Sequence, residues 1–205
     1  VTTTFFLVRH AVHDQVSRTL SARTPGVALS PQGRAQAGWV AERLSHESIA
    51  AIHASPQQRA QETAAPLAGR LGLPVTTAPA LDEWDAGEWT GRAFTDLASD
   101  EAWTRWNTAR SVAGAPGGET ALEITHRVVR HAAELAAIHA GSGVVLVSHA
   151  EPLRSLVLFA LGLGPDTWSR VEILPAAVSI VTMGPWGCKL VQLNEGAGVL
   201  EEAHA

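Results

Sequence analysis

The sequence predicts an α/β fold: a three-layer α/β/α sandwich around a mainly parallel mixed sheet, with a cap inserted at about residues 80–118. Three observations lead there. Short β-rich apolar runs alternate with segments of helical periodicity, the pattern of successive strand–helix units. Two of the strand candidates run straight into a histidine, at Arg9-His10 and at Ser148-His149. The stretch from Pro79 to Gly118 breaks the alternation and holds four of the seven tryptophans, Trp84, Trp89, Trp103 and Trp106.

Taken in order, Thr4 to Val8 (TFFLV) is a buried strand. Ala11 to Ala28 lacks periodicity and turns at Thr24-Pro25-Gly26, which predicts a loop. Ser30-Pro31 is a helix start, with Ala37, Val40, Ala41 and Leu44 along one face. Ile49 to Ala54 is a second strand. Ser55-Pro56 repeats the cap-and-proline start for a helix with Ala60, Thr63, Ala64, Leu67 and Leu71 at helical spacing, closed by Gly72. Val75 to Ala78 is a third strand. Beyond the tryptophan-rich stretch, Glu119 to Ala140 is a long helix and Gly143 to Val147 the strongest strand. A helix from Pro152 to about Leu161 follows, then strands Val178 to Met183 and Lys189 to Leu193. The last residues are expected to be a frayed tail.

Composition sets bounds on function. The chain has 205 residues, 46% apolar and 17% charged, as expected for one domain (1–205) carrying a cap. Its formal net charge is −5 and no basic run occurs, which argues against nucleic acid as a partner. Cys188 is the only cysteine, excluding an intrachain disulfide and a cysteine-based zinc site. The residues VTTTFFLVRH do not resemble a signal peptide, and Leu156 to Leu163 is too short to span a membrane. The expectation is a soluble cytoplasmic protein.

Four segments concentrate chemistry. LVRHA (Leu7 to Ala11) sets an arginine beside a histidine at a strand end. SPQQRAQET (Ser55 to Thr63) places Arg59 in a first helical turn, where backbone N–H groups already favour an anion. VSHAEP (Val147 to Pro152) delivers a second strand-end histidine before another helix. LDEWDAGEWTG (Leu81 to Gly91) offers carboxylates in a glycine-punctuated loop. Ligands of open α/β sheets bind beyond the carboxyl ends of strands, where both histidines are predicted.

In this order the four segments resemble the histidine phosphatase superfamily, also called the phosphoglycerate mutase-like family. LSPQGRAQA (Leu29 to Ala37) and Pro116-Gly117-Gly118-Glu119 match two further stretches of its pattern. The resemblance implies that His10 is the nucleophile, that Arg9, Arg59 and a protonated His149 bind phosphoryl oxygens, and that Glu83 is the general acid. Ala150 beside His149, and His13 and Arg23 in the loop after the first strand, are candidate substrate contacts. No metal or cofactor is implied, and the expected partner is a small phosphorylated substrate. The late edge strands make a homodimer possible. Two departures stand out: Ala11 and Ala150 occupy positions where the family has glycine, tolerable only if neither backbone needs a positive φ. Val16 stands where the sugar-phosphate mutases carry asparagine. A phosphatase is therefore the first reading; a mutase, or a silent binder of phosphorylated ligands, is the alternative. His126, His131 and His139 are read as surface residues of the long helix.

Overall fold

The computed structural model describes residues 1–14 and 18–196; Val16 and the predicted tail after residue 196 lie outside these. Six strands form one mixed sheet in the order β3-β2-β4-β1-β5-β6. The strands are β1 (Thr3–Arg9), β2 (Ile49–Ala54), β3 (Val75–Thr77), β4 (Gly143–Ser148), β5 (Val178–Gly184) and β6 (Gly187–Glu195). β3, β2, β4 and β1 run parallel, while β5 and β6 continue the sheet antiparallel. The helices are α1 (Pro31–Leu44), α2 (Gln58–Leu71), α3 (Phe94–Leu97), α4 (Glu101–Thr108), α5 (Ala121–Ile138) and α6 (Ala150–Ala160).

The two faces of the sheet follow from the period-two alternation of a strand. Phe6 and Val8 of β1 pack with Val145 and Val147 of β4 against Val40 and Leu44 of α1 and Leu67 of α2. Phe5 and Leu7 point the other way, with Val144 and Leu146, onto Ile124, Val128 and Leu135 of α5. β1 and β4 are thus apolar on both sides, as strands buried between two helical layers must be. Their pairing runs from Thr4 opposite Gly143 to Arg9 opposite Ser148, so the residues after both strands emerge side by side. The His10 amide bonds the Ser148 carbonyl at 2.8 Å, extending the ladder to the histidine itself.

Helix starts follow the sequence in part. Ser30 caps α1 by accepting from the Gly33 amide, and Pro31 takes the first turn. α5 begins two residues later than predicted, because Thr120 and Glu123 close a reciprocal capping box there. α2 begins at Gln58, not at Ser55-Pro56: Gln57 occupies the cap position without a side-chain bond, while the Ser55 hydroxyl accepts from the Gln57 amide at 3.2 Å just ahead of the helix. α6 starts at Ala150, ahead of Pro152, which makes His149 its cap residue. Proline at the third helical position forces no break there, since the first-turn amides lack intrahelical partners anyway. His126 is exposed as expected, but His131 is half-buried, its ring edge-on to His53 at 5.3 Å.

The segment between β3 and α5 carries α3, α4 and two single 3-10 turns, Pro79–Leu81 and Gly87–Trp89. Its tryptophans form a nucleus: Trp84 stacks on Trp106 at 4.4 Å and 7°, and Trp89 meets Trp103 edge-on at 5.3 Å. Leu97 and Ala113 join this nucleus, which is continuous with the α5 side of the sheet.

Candidate active site

The carboxyl ends of β1 and β4 bring His10 and His149 together, with ring centroids 5.0 Å apart. Both side chains are buried, at 3% and 0% exposure. His10 Nδ1 lies 2.8 Å from the Ala11 carbonyl, which accepts only if that nitrogen carries the proton. The tautomer so assigned leaves Nε2 with its lone pair. Burial, then the charges of Arg9 and Arg59, hold this imidazole well below its ordinary pKa. A neutral, buried imidazole of fixed tautomer is a competent nucleophile.

Arg59 is buried in the first turn of α2, one Nη donating to the Ala22 carbonyl at 2.6 Å. Its Nε and the other Nη have no partner among the described residues. Arg9 bonds the Ile173 carbonyl at 2.7 Å and likewise keeps Nε unpartnered. Buried guanidinium donors without partners are costly, and an anion within reach satisfies them. Ala22 itself has φ +39°, a strained value for a non-glycine residue, at the point where its carbonyl meets Arg59.

Glu83 reaches the same cavity. Its carboxylate accepts from the Trp84 amide at 2.9 Å, and its other oxygen lies 3.8 Å from His149 Nδ1. Burial pushes the carboxyl up to about 7, outweighing the pull of Arg59 and of that amide. Glu83 therefore changes protonation state near neutrality, as a group that gives and then takes a proton must. The loop bearing it is anchored from below: Arg23 Nε and Arg127 donate to the Glu83 carbonyl at 2.8 and 3.2 Å. Both arginines are held in turn by Glu119, which also accepts from the Asp85 amide.

His149 is buried among groups that oppose a charge on it. Burial, then His10, Arg59 and Arg9, push its pKa well down, so a cation is disfavoured there. Nε2 contacts the Ser55 hydroxyl at 2.7 Å, and that hydroxyl donates to Asp82 at 3.3 Å, placing the histidine proton on Nε2. Nδ1 has no hydrogen-bond partner among the described residues. A phosphate dianion nearby raises the affinity of this nitrogen for a second proton.

His10, His13, His149's neighbour Ala150, Arg9, Arg59 and Glu83 line one cavity of about 290 Å³. His13 stands 5.4 Å from His10, its pKa lowered to about 4 by burial and then by Arg59 and Arg9. Arg23 does not line the cavity and lies instead in the carboxylate cluster of Asp82, Asp85 and Glu119. Neither Ala11 nor Ala150 has a positive φ, so the added methyl groups bring no backbone strain. Sequence reasoning missed Ser55 as a partner of His149. It also missed Thr63, whose hydroxyl accepts from the Ala11 amide at 3.0 Å and donates to the Arg59 carbonyl at 2.7 Å. Arg110 and Glu151, paired on the far wall of the cavity, were likewise unforeseen. A buried hydroxyl i+4 from Arg59 was the only available signal, and only for Thr63.

The family model described as "Histidine phosphatase superfamily (branch 1)" matches residues 5–196. The chain belongs to that superfamily. Among its relatives, an uncharacterised protein of Mycobacterium tuberculosis is 38% identical over 183 residues, 87% of this chain and 89% of that protein. Phosphoserine phosphatase 1 of Hydrogenobacter thermophilus is 31% identical over 192 residues, covering 92% and 90%. The solved mycobacterial glucosyl-3-phosphoglycerate phosphatase superposes with a TM-score of 0.85 at 25% identity, covering 95% of this chain and 99% of that one. The histidine phosphatase fold therefore spans nearly the whole chain. No helix among the described residues is long and apolar enough to cross a membrane.

Proposed function

We propose that this histidine phosphatase hydrolyses phosphate monoesters of a small molecule through a phosphohistidine on His10, within one domain whose 80–118 segment caps the site. The observation that carries this reading is the state of His10: neutral, its Nδ1 proton engaged by Ala11, and Nε2 left with its lone pair in a cavity also lined by Arg9 and Arg59, whose donors are partly unpartnered. In the first step Nε2 attacks phosphorus, the ester P–O bond breaks, and protonated Glu83 gives its proton to the leaving alkoxide. Arg9 and Arg59 stabilise the equatorial oxygens, and His149 takes up a proton at Nδ1 as the dianion binds. In the second step Glu83 accepts a proton from water, the water oxygen attacks phosphorus, and the N–P bond breaks to release phosphate. Arg23 and Arg127 serve this scheme by fixing the Glu83 loop, and His13 by contacting the bound ester. The same reading takes the protein to be cytoplasmic. It takes the exposed edge of β6, with Val191 and Leu193, as the place where two copies pair.

The test is phosphate release from an aryl phosphate in the presence of chelator, with His10→Ala alongside. Chelator-resistant release that falls on the order of a thousandfold or more in His10→Ala is expected. Activity unchanged in His10→Ala rules the scheme out. Retention of the phosphoryl group on the substrate skeleton, with no free phosphate, identifies a mutase instead.

A further inference from the structure

Half of the cavity is unlike a phosphate pocket. Beyond Arg9, His10 and Arg59 its wall is built by Leu20, Phe94, Trp103, Trp106 and Trp168. Phe94 is 37% exposed, and Leu20, Trp103 and Trp168 are only half-buried, so this wall offers aromatic faces and not merely a packed core. Phe94 and Trp103 meet at 6.3 Å and 50°. The cation on this side among the described residues, Arg110, is already committed. Arg110 pairs with Glu151, and its guanidinium lies over Trp168 at 3.8 Å and Trp106 at 4.6 Å. Its Nε has no hydrogen-bond partner among the described residues. The indole N–H of Trp106 likewise has no partner among the described residues, whereas those of Trp84, Trp89 and Trp168 bond Glu119, Asp100 and Asn107. A buried indole N–H normally finds an acceptor.

Among the described residues this aromatic wall adds Thr19, Ser21 and Asn107, which are uncharged, and Arg110, which is ion-paired. Such a wall is poorly matched to a carboxylate, which favours a bidentate or free cationic partner. It matches an uncharged flat ring bearing hydrogen-bond acceptors. We propose that the cap side of the pocket selects phosphate esters of alcohols that carry such a ring, seated on Phe94 and Trp103 with its acceptors toward Trp106 Nε1 and Arg110 Nε. This rests on the phosphatase reading for turnover, but the ring site can be tested apart from it.

The measurement compares kcat/KM for three esters of primary alkyl alcohols, 2-phenylethyl phosphate, glycerol 3-phosphate and phosphoserine, whose leaving groups differ little in reactivity. One aromatic contact contributes roughly twofold to tenfold beyond simple burial. The ring ester is therefore expected to lead by about tenfold or more, mainly through KM. Trp103→Ala and Phe94→Ala each pull that ratio toward one. Quenching of tryptophan fluorescence by 2-phenylethanol, which has no phosphate, is read in parallel on native protein and His10→Ala. Saturable quenching in both, weakened in Phe94→Ala, supports the ring site even if no ester is hydrolysed, an outcome that sinks only the phosphatase reading. Tighter binding of 2-(4-pyridyl)ethanol than of 2-phenylethanol at pH 8 supports the acceptor contacts. Turnover with phosphoserine or glycerol 3-phosphate equal to or above the ring ester, or the absence of saturable quenching, overturns the proposal.

Discussion

Glu83 is where the needs of catalysis and of stability diverge. Its carboxyl titrates near 7 because burial outweighs two nearby arginines. In the unfolded chain the same group loses its proton near 4.5. The folded state thus holds the proton more tightly, and the stability Glu83 contributes is lost as pH rises from 4.5 to 7. Above that range ionised Glu83 weighs against the fold. Glu83→Gln keeps the shape and an acceptor for the Trp84 amide while removing the titration. The variant is expected to be more stable than the native protein above pH 7, by on the order of 3 kcal/mol, and so to melt at higher temperature there, with no such gain near pH 4. Its kcat/KM on alkyl esters is expected to drop roughly a hundredfold to ten-thousandfold. The decline of native kcat/KM above about pH 7 disappears with it. Thermal melts and pH–rate profiles of the two proteins check this, and identical profiles contradict the acid role.

At the scale of elements, the Glu83 loop is positioned by a close backbone approach. A Cβ on Gly118 would lie 2.2 Å from the Asp85 carbonyl oxygen and 2.7 Å from the Gly87 amide. The Glu119 amide bonds that same carbonyl at 2.8 Å, and Glu88 bonds Pro116 at 3.0 Å. Gly118→Ala must separate the two loops. It is expected to cost about 1–3 kcal/mol and to lower kcat more than it raises KM, since Glu83 moves while Arg9 and Arg59 do not. Denaturant melts and steady-state kinetics read both effects; an unchanged kcat contradicts the link. Gly87, Gly118 and Glu119 were visible in the sequence as motif positions, but their mutual contact was not, because it joins residues about thirty apart through backbone atoms. Ser55 shows the same limit. Ser-Pro before an amphipathic run is a sound helix-start signal, and it held at Ser30. At Ser55 the hydroxyl still accepts from the Gln57 amide at 3.2 Å, but it is shared with the buried imidazole of His149 at 2.7 Å and the regular helix begins only at Gln58.

At the scale of the molecule, the strands and their order along the chain were legible because period and punctuation are local. What the sequence left open is the spatial order, with β4 inserted between β1 and β2. That adjacency converts two histidines 139 positions apart into one site. The pull on the charge of His149 was illegible for a related reason: burial, then His10, Arg59 and Arg9 around it, lower its pKa, and none of these neighbours adjoins it in sequence. The sequence grouped four tryptophans in one segment, while the indole N–H of Trp106, unpartnered among the described residues, emerges only from packing. The proposed scheme puts the phosphoryl group on His10. The most direct measurement is rapid quenching of the native protein during turnover of excess ester, with peptide mapping under alkaline conditions. The account predicts an acid-labile, alkali-stable phosphoryl group on His10. A phosphoryl group found on another side chain, with His10 unmodified, would contradict it.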